Sequence, residues 1–298
     1  MSPARSSAYT LMYCRGSMKD SSKQRWRIIS TGSESAWYQM ALDEVLVRAF
    51  AEGRTPPVFR IYRWRGPAIT FGYAQRPAGY LDLGKCADDG IEVTRRLTGG
   101  RAVFHVNELG YAVIGSTSDP VFGGSIRQTY RSVHAVIAGG FRSACRGALI
   151  EGKPRGNRLP HPYRHIAPCF ALPTPFELTL DGRKVVGSAQ RRFRGVFLQQ
   201  GSIRLGPGAG RIVDYLLDRE AADFFQRELF RGEKHHEVMD KGEYDRLTDA
   251  LFHAFRERIE LEPERDGPGG REHGDALRLC RTRYHNREWI VTDGRPDF

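Results

Sequence analysis

The sequence predicts an α/β protein of the mixed, α+β-like class, with helices on the outer faces of a mixed β-sheet. Strand and helix patterns mix along the 298 residues without strict β-α alternation, which disfavours a doubly wound parallel sheet. Asp181-Gly182 lies between two alternating apolar runs, and this dipeptide is a strong signal for an antiparallel hairpin. No repeat with a period of about 20–50 residues is present, which argues against solenoid and propeller folds.

The first half of the chain carries one helix pattern followed by strand patterns. Ser33 or Ser35 can cap a helix that continues to about Phe50, and its apolar residues recur with helical spacing. Arg65-Gly66-Pro67 is a turn signal between the first two strand patterns. The predicted strands are Val58–Trp64, Ala68–Gln75, Ile91–Thr98 and Leu109–Gly115.

The second half returns to helices around a group of three strands. Ser125 can cap a helix to about Ala144, and the polar, Pro-rich segment Lys153–Pro168 is predicted to be a loop. Three strands follow, with turns at Asp181-Gly182 and Arg191–Gly195. Arg265–Gly274 is interpreted as a Gly-rich linker. The later helical patterns are Ile212–Leu217, Ala221–Phe230, Tyr244–Ile259 and a short C-terminal helix, with a final ordered run at Tyr284–Ile290.

Charge and hydropathy limit the classes of function. The net charge is +11, and arginine supplies 39 of the 46 basic residues, which favours acidic partners such as nucleic acid, an acidic carrier protein or phosphate groups. The arginines are dispersed along the chain and form no single basic stripe, so nucleic-acid binding is not the leading interpretation. No apolar run approaches the roughly 18–20 residues that span a bilayer, and we expect no membrane association.

The cysteines and the N-terminal segment indicate the compartment. Five cysteines are scattered along the chain and never form a CxxC pair, which argues against a disulfide framework or a zinc site and favours a reducing cytoplasm. Residues 1–24 lack the apolar core of a secretory signal. We interpret them as a disordered tail or as a misassigned start ahead of Met18, with a transit peptide as the alternative.

Cys169 and Lys184 are the first candidates for chemistry. A thiol near an ammonium becomes a reactive thiolate, and a thiolate is a covalent acyl acceptor. In a two-residue hairpin at Asp181-Gly182, Lys184 lies across from Thr179, so the segment from Cys169 must bend back over the sheet for the two side chains to meet. The alternative is a small buried cysteine and a solvated strand lysine.

Two glycine-containing segments are candidates for ligand contact. Gly99-Gly100 follows a strand, and paired glycines let the backbone approach a ligand and point N–H groups at it, although the residues alone favour a tight turn with solvent-facing arginines. Small residues at Gly187–Gln190 leave space against the sheet for a slender ligand, with a bulge as the alternative.

His161 and His165 precede Cys169 and are weaker candidates for a base. His235-His236 lacks the spacing of a metal site.

Six segments, taken in order, resemble the biotin/lipoate protein ligase superfamily, most closely the octanoyltransferases of the LipM type. The similarity extends from about Trp26 to Trp289, and the ordered combination is specific although each motif alone is weak. The segments are WRIISTGSESAWYQMALDE (Trp26–Glu44), FRIYRWRGPAITFGYAQ (Phe59–Gln75), RRLTGGRAVFHVNELGYAVIG (Arg95–Gly115), CFALPTPFELTLDGRKVVGSAQRR (Cys169–Arg192), LQQGSIRL (Leu198–Leu205) and RYHNREW (Arg283–Trp289).

The resemblance implies a fold and a reaction. Residues 25–262 would form one catalytic domain with a mixed sheet, and residues 263–298 a linker and short extension. An octanoyl group would pass from the phosphopantetheine of acyl carrier protein to Cys169, beside the thiolate-stabilising Lys184, and then to a lysine of a lipoyl-domain protein such as glycine cleavage H protein. It implies no bound cofactor or metal, a cytoplasmic location and a monomer. The residues matching the acyl-binding segments are Arg95, Arg96, Thr98, Gly99, Gly100, Arg101, Ala102, His105, Gly187, Ser188, Ala189 and Gln190.

Two other activities of the superfamily stay open at this point. ATP-dependent lipoate ligases resemble the chain but carry a third glycine where it has Arg101, need no cysteine matching Cys169, and commonly have a sizeable accessory domain, whereas few residues follow Leu261 here. Amidotransferases that move acyl groups between lipoyl domains use the same cysteine chemistry. The octanoyltransferase pattern fits best, although Phe104 and Val106 are not its commonest residues.

Overall fold

A computed structural model describes residues 25–144, 150–152, 168, 177–180, 183–230, 240–260 and 264–291. Cys169, the Asp181-Gly182 turn, the histidines at 161, 165, 235 and 236, and residues 1–24 lie outside the described residues, so the predictions made for them remain predictions.

The larger of two sheets in this part of the chain has eight strands in the order β11-β1-β2-β6-β10-β9-β8-β7. The three strands at one end, β11, β1 and β2, run parallel to one another, and every pairing from β2 to β7 is antiparallel. The sheet is therefore mixed, as predicted. Its strands are β1 Arg27–Glu34, β2 Val58–Trp64, β6 Glu108–Ser116, β7 Ile150–Gly152, β8 Glu177–Leu180, β9 Arg183–Phe193, β10 Val196–Arg204 and β11 Glu264–Asp266.

The smaller sheet has three strands in the order β4-β3-β5, with β3 Ala68–Phe71, β4 Glu92–Arg95 and β5 Val103–His105. The strand predicted at Ala68–Gln75 ends at Phe71, and the next residue, Gly72, lies against the backbone of Gly100, where a Cβ would come within 2.2 Å of the carbonyl oxygen. β5 is too short for its alternation to stand out in the sequence.

The helices of the described residues match the strongest periodic segments of the sequence. Ser35 caps α1, its side chain accepting the Tyr38 N–H, and Asp240 forms a capping box with Glu243 at the start of α5. The run predicted at Ile212–Leu217 is instead part of a 3-10 helix, Ala209–Tyr215. The helices are α1 Ala36–Ala51, α2 Leu83–Asp88, α3 Ile126–Ala144, α4 Arg219–Glu228, α5 Lys241–Ile259, α6 Gly270–Leu279 and α7 Arg287–Val291.

The Gly-rich segment predicted as the linker Arg265–Gly274 is structured, and that interpretation is wrong. β11 pairs with β1, and α6 begins at Gly270 and packs on α1. Arg27 of β1 explains the difference, because its buried guanidinium donates to Glu272 at 2.9 Å and to the Gly267 carbonyl at 3.0 Å. These partners are more than 200 residues away from Arg27 in sequence, so no local pattern reveals them.

Two layers cover the large sheet and define its faces. α3 and α5 pack on one face, here called the helical face, around Phe59, Phe197 and Phe252. α1 and the small sheet cover the other, here called the pocket face, where Leu42, Leu46 and Ile114 form part of the core. No helix in the described ranges is both long enough and apolar enough to cross a bilayer.

Candidate functional site

A pocket lies on the pocket face, between the large sheet, the small sheet and α1. Three strands of the large sheet, β2, β9 and β10, form its floor, and β3 and β5 of the small sheet form its roof. Its walls are mainly apolar and carry a few convergent polar groups, as is usual for small-molecule sites. The lining residues are Met40, Tyr62, Trp64, Thr70, Arg96, Val103, His105, Gly187, Ser188, Ala189, Gln200, Gly201 and Ser202.

Small residues on β9 and β10 create the space in the floor. Gly187 pairs with Ser202 and Ala189 pairs with Gln200, so the pocket face carries almost no side-chain volume along β9. Across the ladder, Gly201 accommodates the ring of Tyr111, whose Cε1 would lie 2.3 Å from a Cβ at this position. The small residues that the sequence analysis singled out at Gly187–Ala189 therefore line a cavity.

Lys184 reaches the pocket face through a β-bulge. Leu178 and Leu180 pack into the core on the helical face, so Thr179 between them points to the pocket face, and Lys184 pairs directly with Thr179. The pairing shifts by one residue between Leu178 and Thr179, and Val185 is the extra residue.

Val185 and Val186 consequently both pack against the helical-face core. Without this extra residue in the ladder, alternation from Gly187 would put Lys184 on the opposite face from the pocket. The Lys184 side chain is buried, with the residue 8% exposed. The structure thus places the predicted thiolate-stabilising lysine on the same face as the pocket, and its predicted partner Cys169 lies outside the described residues.

Arg96 organises the Gly99-Gly100 loop over the pocket. Its Nη2 donates to the carbonyls of Gly99 (2.7 Å) and Arg101 (2.8 Å), and its Nη1 donates to the Thr70 carbonyl (3.1 Å). Gly100 has φ +89°, and a Cβ there would lie 2.8 Å from Arg96 Nη2. Only glycine meets both conditions without strain. The buried guanidinium of Arg96 thus holds the loop, and the Gly100 backbone lies near Ala189.

Thr98 connects the same loop to a buried polar network below the pocket. Its hydroxyl donates to Gln200 Oε1 (2.9 Å), and Gln200 Nε2 donates to Asp43 Oδ2 (2.6 Å). Asp43 also binds the guanidinium of Arg60 in a fully buried ion pair. Burial raises the pKa of the Asp43 carboxyl, and the neighbouring Arg60 opposes that shift. These hydrogen bonds connect Thr98 of the loop to Asp43 of α1 and so position the loop relative to that helix.

His105 sits in a cluster of hydrogen bonds at the opposite wall of the pocket. Its Nε2 lies 2.6 Å from Thr70 Oγ1 and its Nδ1 lies 2.5 Å from Glu108 Oε1. The ring stacks on the indole of Trp64, with centroids 4.1 Å apart. His105 therefore presents a buried imidazole, with both nitrogens engaged, to the pocket.

Ser188 is held from the helical face. Its Oγ contacts the hydroxyl of Tyr111 and Nε2 of His134 (2.9 Å), and the Tyr130 hydroxyl donates to its carbonyl (3.2 Å). Burial lowers the pKa of His134 to about 4, so this imidazole is neutral at physiological pH. The contacts pin the part of β9 that forms the pocket floor.

The remaining predicted site residues have other surroundings. The Arg95 guanidinium is engaged by the carbonyls of Tyr73, Gln75 and Ile290. Ala102 belongs to the core of the small sheet. Gln190 donates to Gln199 and accepts from Arg192. None of these three lines the pocket. The same holds for Thr98, Gly99, Gly100 and Arg101, so of the predicted acyl-binding residues the pocket brings together Arg96, His105 and Gly187–Ala189.

Sequence reasoning did not single out several lining residues. Tyr62 and Trp64 are two residues apart on β2, and Gln200 and Ser202 two apart on β10, so strand alternation assigns each pair to one face. The missing information was which face is covered by the small sheet. Met40 comes from α1, and no local signal distinguishes it from a core residue.

The arrangement suits an apolar chain with a polar, reactive end. No group of three or more His, Cys, Asp or Glu side chains gathers as a metal site within the described ranges. The pocket instead offers glycines for close backbone approach, a buried ammonium on the same face, and hydroxyl and imidazole groups in its wall. Such groups can hold an acyl chain and stabilise charge that develops at its carbonyl.

Comparison with known proteins agrees with this geometry. Residues 35–227 match the family model described as lipoyl protein ligase A/B catalytic domain. The chain is 33% identical over 274 residues to octanoyltransferase LipM of Kyrpidia tusciae, covering 89% of the chain and 98% of that protein. It is 40% identical over 182 residues to octanoyltransferase LipM of Moorella thermoacetica, covering 61% of the chain and 66% of that protein.

A solved structure shares the fold. The bipartite lipoate protein ligase of Thermoplasma acidophilum superposes with a TM-score of 0.67, covering 93% of this chain and 98% of that one, at 20% sequence identity. At this identity the likeness establishes the fold alone, and it is the fold that the sequence motifs implied. The family match and the near full-length relative together carry the conclusion: the chain belongs to the lipoyl protein ligase A/B catalytic domain family and, within it, to the octanoyltransferases of the LipM type.

Proposed function

We propose that the protein transfers an octanoyl group in protein lipoylation through a thioester on Cys169. The donor is octanoyl-acyl carrier protein, and the group arrives as a thioester of its phosphopantetheine arm. The acceptor is a lysine of a lipoyl-domain protein, and glycine cleavage H protein is the proposed one. The thiolate of Cys169 attacks the donor carbonyl and expels the carrier thiol, and the acceptor amine then attacks the enzyme thioester.

The observation that carries this proposal is the position of Lys184. Its side chain is buried on the pocket face, directly across from Thr179 and three residues along β9 from Gly187, which lines the pocket. A buried ammonium next to a thiol favours the thiolate and can donate to the oxyanion of a tetrahedral intermediate. Backbone N–H groups near Gly100 and Ser188 are proposed as further oxyanion donors.

The energetics of the proposed reaction require no nucleotide and no bound cofactor. Exchange between two thioesters is nearly balanced, and the step from thioester to amide is downhill. Cys169 divides one difficult transfer into two easier ones. Burial of seven apolar carbons at about 0.8 kcal/mol each contributes roughly 5 kcal/mol to binding, enough to select for chain length.

Charge supports the proposed partners. The net charge of +11 suits acidic carrier and lipoyl domains, because complementary charge accelerates encounter. Proteins of this family act on lipoyl-domain proteins. We propose that the enzyme works as a monomer in the cytoplasm.

The test is an intact-mass measurement of the enzyme after mixing with octanoyl-acyl carrier protein. We expect the mass to rise by one octanoyl group without ATP, and the Cys169→Ser variant to stay unmodified. Addition of apo glycine cleavage H protein should then return the enzyme to its free mass and octanoylate one lysine of the acceptor.

The other activities of the superfamily give different outcomes in the same experiment. An ATP-dependent ligase would modify the acceptor from free octanoate only when ATP and magnesium are present. An amidotransferase would take its acyl group from an octanoylated lipoyl domain in preference to the carrier protein. A basic scaffold would bind its partners in a salt-dependent way and transfer nothing.

A further inference from the structure

A chain of buried hydrogen bonds runs along the pocket wall beside the proposed acyl site. Arg96 Nη1 lies 3.3 Å from Thr70 Oγ1, which lies 2.6 Å from His105 Nε2, and His105 Nδ1 lies 2.5 Å from Glu108 Oε1. Thr70, Arg96 and His105 line the pocket, and all four residues are buried. A hydroxyl, an imidazole and a carboxylate in this order have the connectivity of a general-base triad.

The donors and acceptors assign a direction to this chain. A guanidinium only donates, so Thr70 Oγ1 accepts from Arg96, and its own proton stays available for His105 Nε2. Glu108 Oε1 also accepts from the Trp64 indole N–H (2.8 Å) and the Ser202 hydroxyl (2.7 Å). The arrangement that uses every partner has His105 donating to Glu108 through Nδ1 and accepting from Thr70 at Nε2.

The chain of hydrogen bonds lies near the same end of the sheet strands as Lys184. Glu108 pairs with Arg204 on β10, and the ladder from β10 to β9 ends at Val186, next to the bulge that positions Lys184. Two strand spacings separate the main chains of Glu108 and Lys184, about 10 Å. His105, which lines the pocket, and Lys184 are thus both associated with the pocket face near the same end of these strands.

We propose that Thr70, His105 and Glu108 form a proton relay for the second half of the reaction, the attack of the acceptor lysine on the acyl-enzyme. This proposal rests on the proposed function. The amine nitrogen forms a bond to the thioester carbonyl carbon, and its surplus proton passes to Thr70 Oγ1 while the threonine proton passes to His105 Nε2. Glu108 stabilises the resulting imidazolium. The C–S bond then breaks, and the proton returns to the leaving thiolate or to solvent.

The first half of the reaction needs no such relay. There a thiolate attacks and another thiolate leaves, so no proton must be removed from the nucleophile. An amine that attacks carries a surplus proton, and the tetrahedral intermediate returns to reactants unless a base removes it. The relay therefore predicts an effect on one step of the reaction and not on the other.

The test separates the two half-reactions for His105→Gln and Thr70→Val. Purified enzyme is first acylated with octanoyl-acyl carrier protein, then mixed with apo glycine cleavage H protein, and each step is timed by quenching and intact mass. We expect the ratio of the lysine-transfer rate to the acylation rate to fall by about 10²-fold or more in His105→Gln, because any effect on acyl binding in the pocket enters both steps. The pH–rate profile for transfer should differ from that of wild type, whereas the profile for acylation should keep its shape.

Hydroxylamine provides a second readout that a structural role would not produce. It is unprotonated at neutral pH and a weak base, so its attack on the acyl-enzyme depends little on a relay. We expect the ratio of lysine transfer to octanoyl hydroxamate release to fall by about 10²-fold or more in His105→Gln, because only lysine transfer uses the relay. His253→Gln is the matched control, because His253 also faces a glutamate, Glu257 at 3.7 Å, but lies exposed on α5.

Each outcome bears on one proposal. Wild-type transfer to lysine in His105→Gln, with an unchanged pH profile, overturns the relay. Equal losses in acylation, lysine transfer and hydroxylamine release also overturn it, because they show a structural role. Failure of the wild-type enzyme to acylate Cys169 at all overturns the proposed function itself.

Discussion

Lys184 lies directly across the β8–β9 ladder from Thr179, and the bulged residue Val185 beside it turns the lysine onto the pocket face. A shift of one residue in a ladder exchanges the two faces of a strand. The position of one side chain that the proposed chemistry needs thus depends on an irregularity of the sheet.

Replacement of Lys184 by methionine should slow acylation of Cys169 and change its pH dependence. Methionine keeps most of the side-chain length and removes the charge that the proposed mechanism uses to favour the Cys169 thiolate, so a smaller fraction of the thiol would be ionised at pH 7. We expect at least a tenfold lower acylation rate at pH 7, with partial recovery at alkaline pH, measured by intact mass. Lys241→Met, at the exposed start of α5, is the control. Equal rates for both variants would remove Lys184 from the mechanism.

Substitution of Gly72 by alanine should displace the Gly99-Gly100 loop. The new methyl group would lie 2.2 Å from the Gly100 carbonyl oxygen, and a backbone atom cannot yield as a flexible side chain can. We expect at least a tenfold loss of octanoyl transfer and a lower melting temperature. Gly66→Ala is the control, because nothing lies within 4 Å of the position its Cβ would take. A fully active Gly72→Ala enzyme would show that the loop is free to move.

Removal of Arg27 should destabilise the attachment of the C-terminal segment. Arg27 forms a mostly buried ion pair with Glu272 at 2.9 Å and also donates to Thr55. The Arg27→Met variant leaves Glu272 with an uncompensated charge, which costs about 3–5 kcal/mol in the free energy of unfolding. The exposed pair of Arg54 with Glu52 is the comparison, and Arg54→Met should cost less than about 1 kcal/mol. Urea denaturation measures both, and equal losses would contradict the prediction.

His134 should make the protein less stable in mild acid. Burial lowers its pKa to about 4, whereas an unfolded histidine titrates near 6.5. As pH falls from about 6.5 to about 4, the unfolded state binds a proton that the folded state does not, so stability falls with pH in that window.

The matched variant for this effect is His134→Gln, which removes the titrating group. Between pH 7 and pH 4.5, wild type should lose about 2–3 kcal/mol more unfolding free energy than the variant, as measured by urea denaturation. His253→Gln, at an exposed position, should behave as wild type. Parallel curves for wild type and His134→Gln would mean that another group carries the acid sensitivity.

The sequence predicted most accurately the features that neighbouring residues determine, such as helix caps and turns. The cap at Ser35, the helical spacing that follows it and the Arg65-Gly66-Pro67 turn placed α1 and β2 within one or two residues of their observed bounds. The ordered motifs predicted the family, and the match over residues 35–227 confirms it. The small residues at Gly187–Ala189 do line a cavity.

Local sequence patterns could not predict contacts between segments that are distant in sequence. Glu272 is 245 residues away from Arg27, so a glycine-rich run looked like a linker. In the chain of hydrogen bonds from Thr70 through His105 to Glu108, the contact between Thr70 and His105 spans 35 residues and depends on the pairing of β3 with β5, which no local pattern reveals. The bulge at Val185 has no signature, because two adjacent valines fit a regular strand equally well.

The pairing of β1 with β11 has a consequence for how the chain is made. Arg27 pairs with Glu264, so β1 waits until residue 264 has been synthesised before its outer edge is covered. Long sequence separation slows such pairing, and an uncovered edge invites association with other chains. During synthesis there is therefore an interval in which the edge of β1 is exposed. We expect chains truncated before residue 264 to bind chaperones more than the full-length chain does.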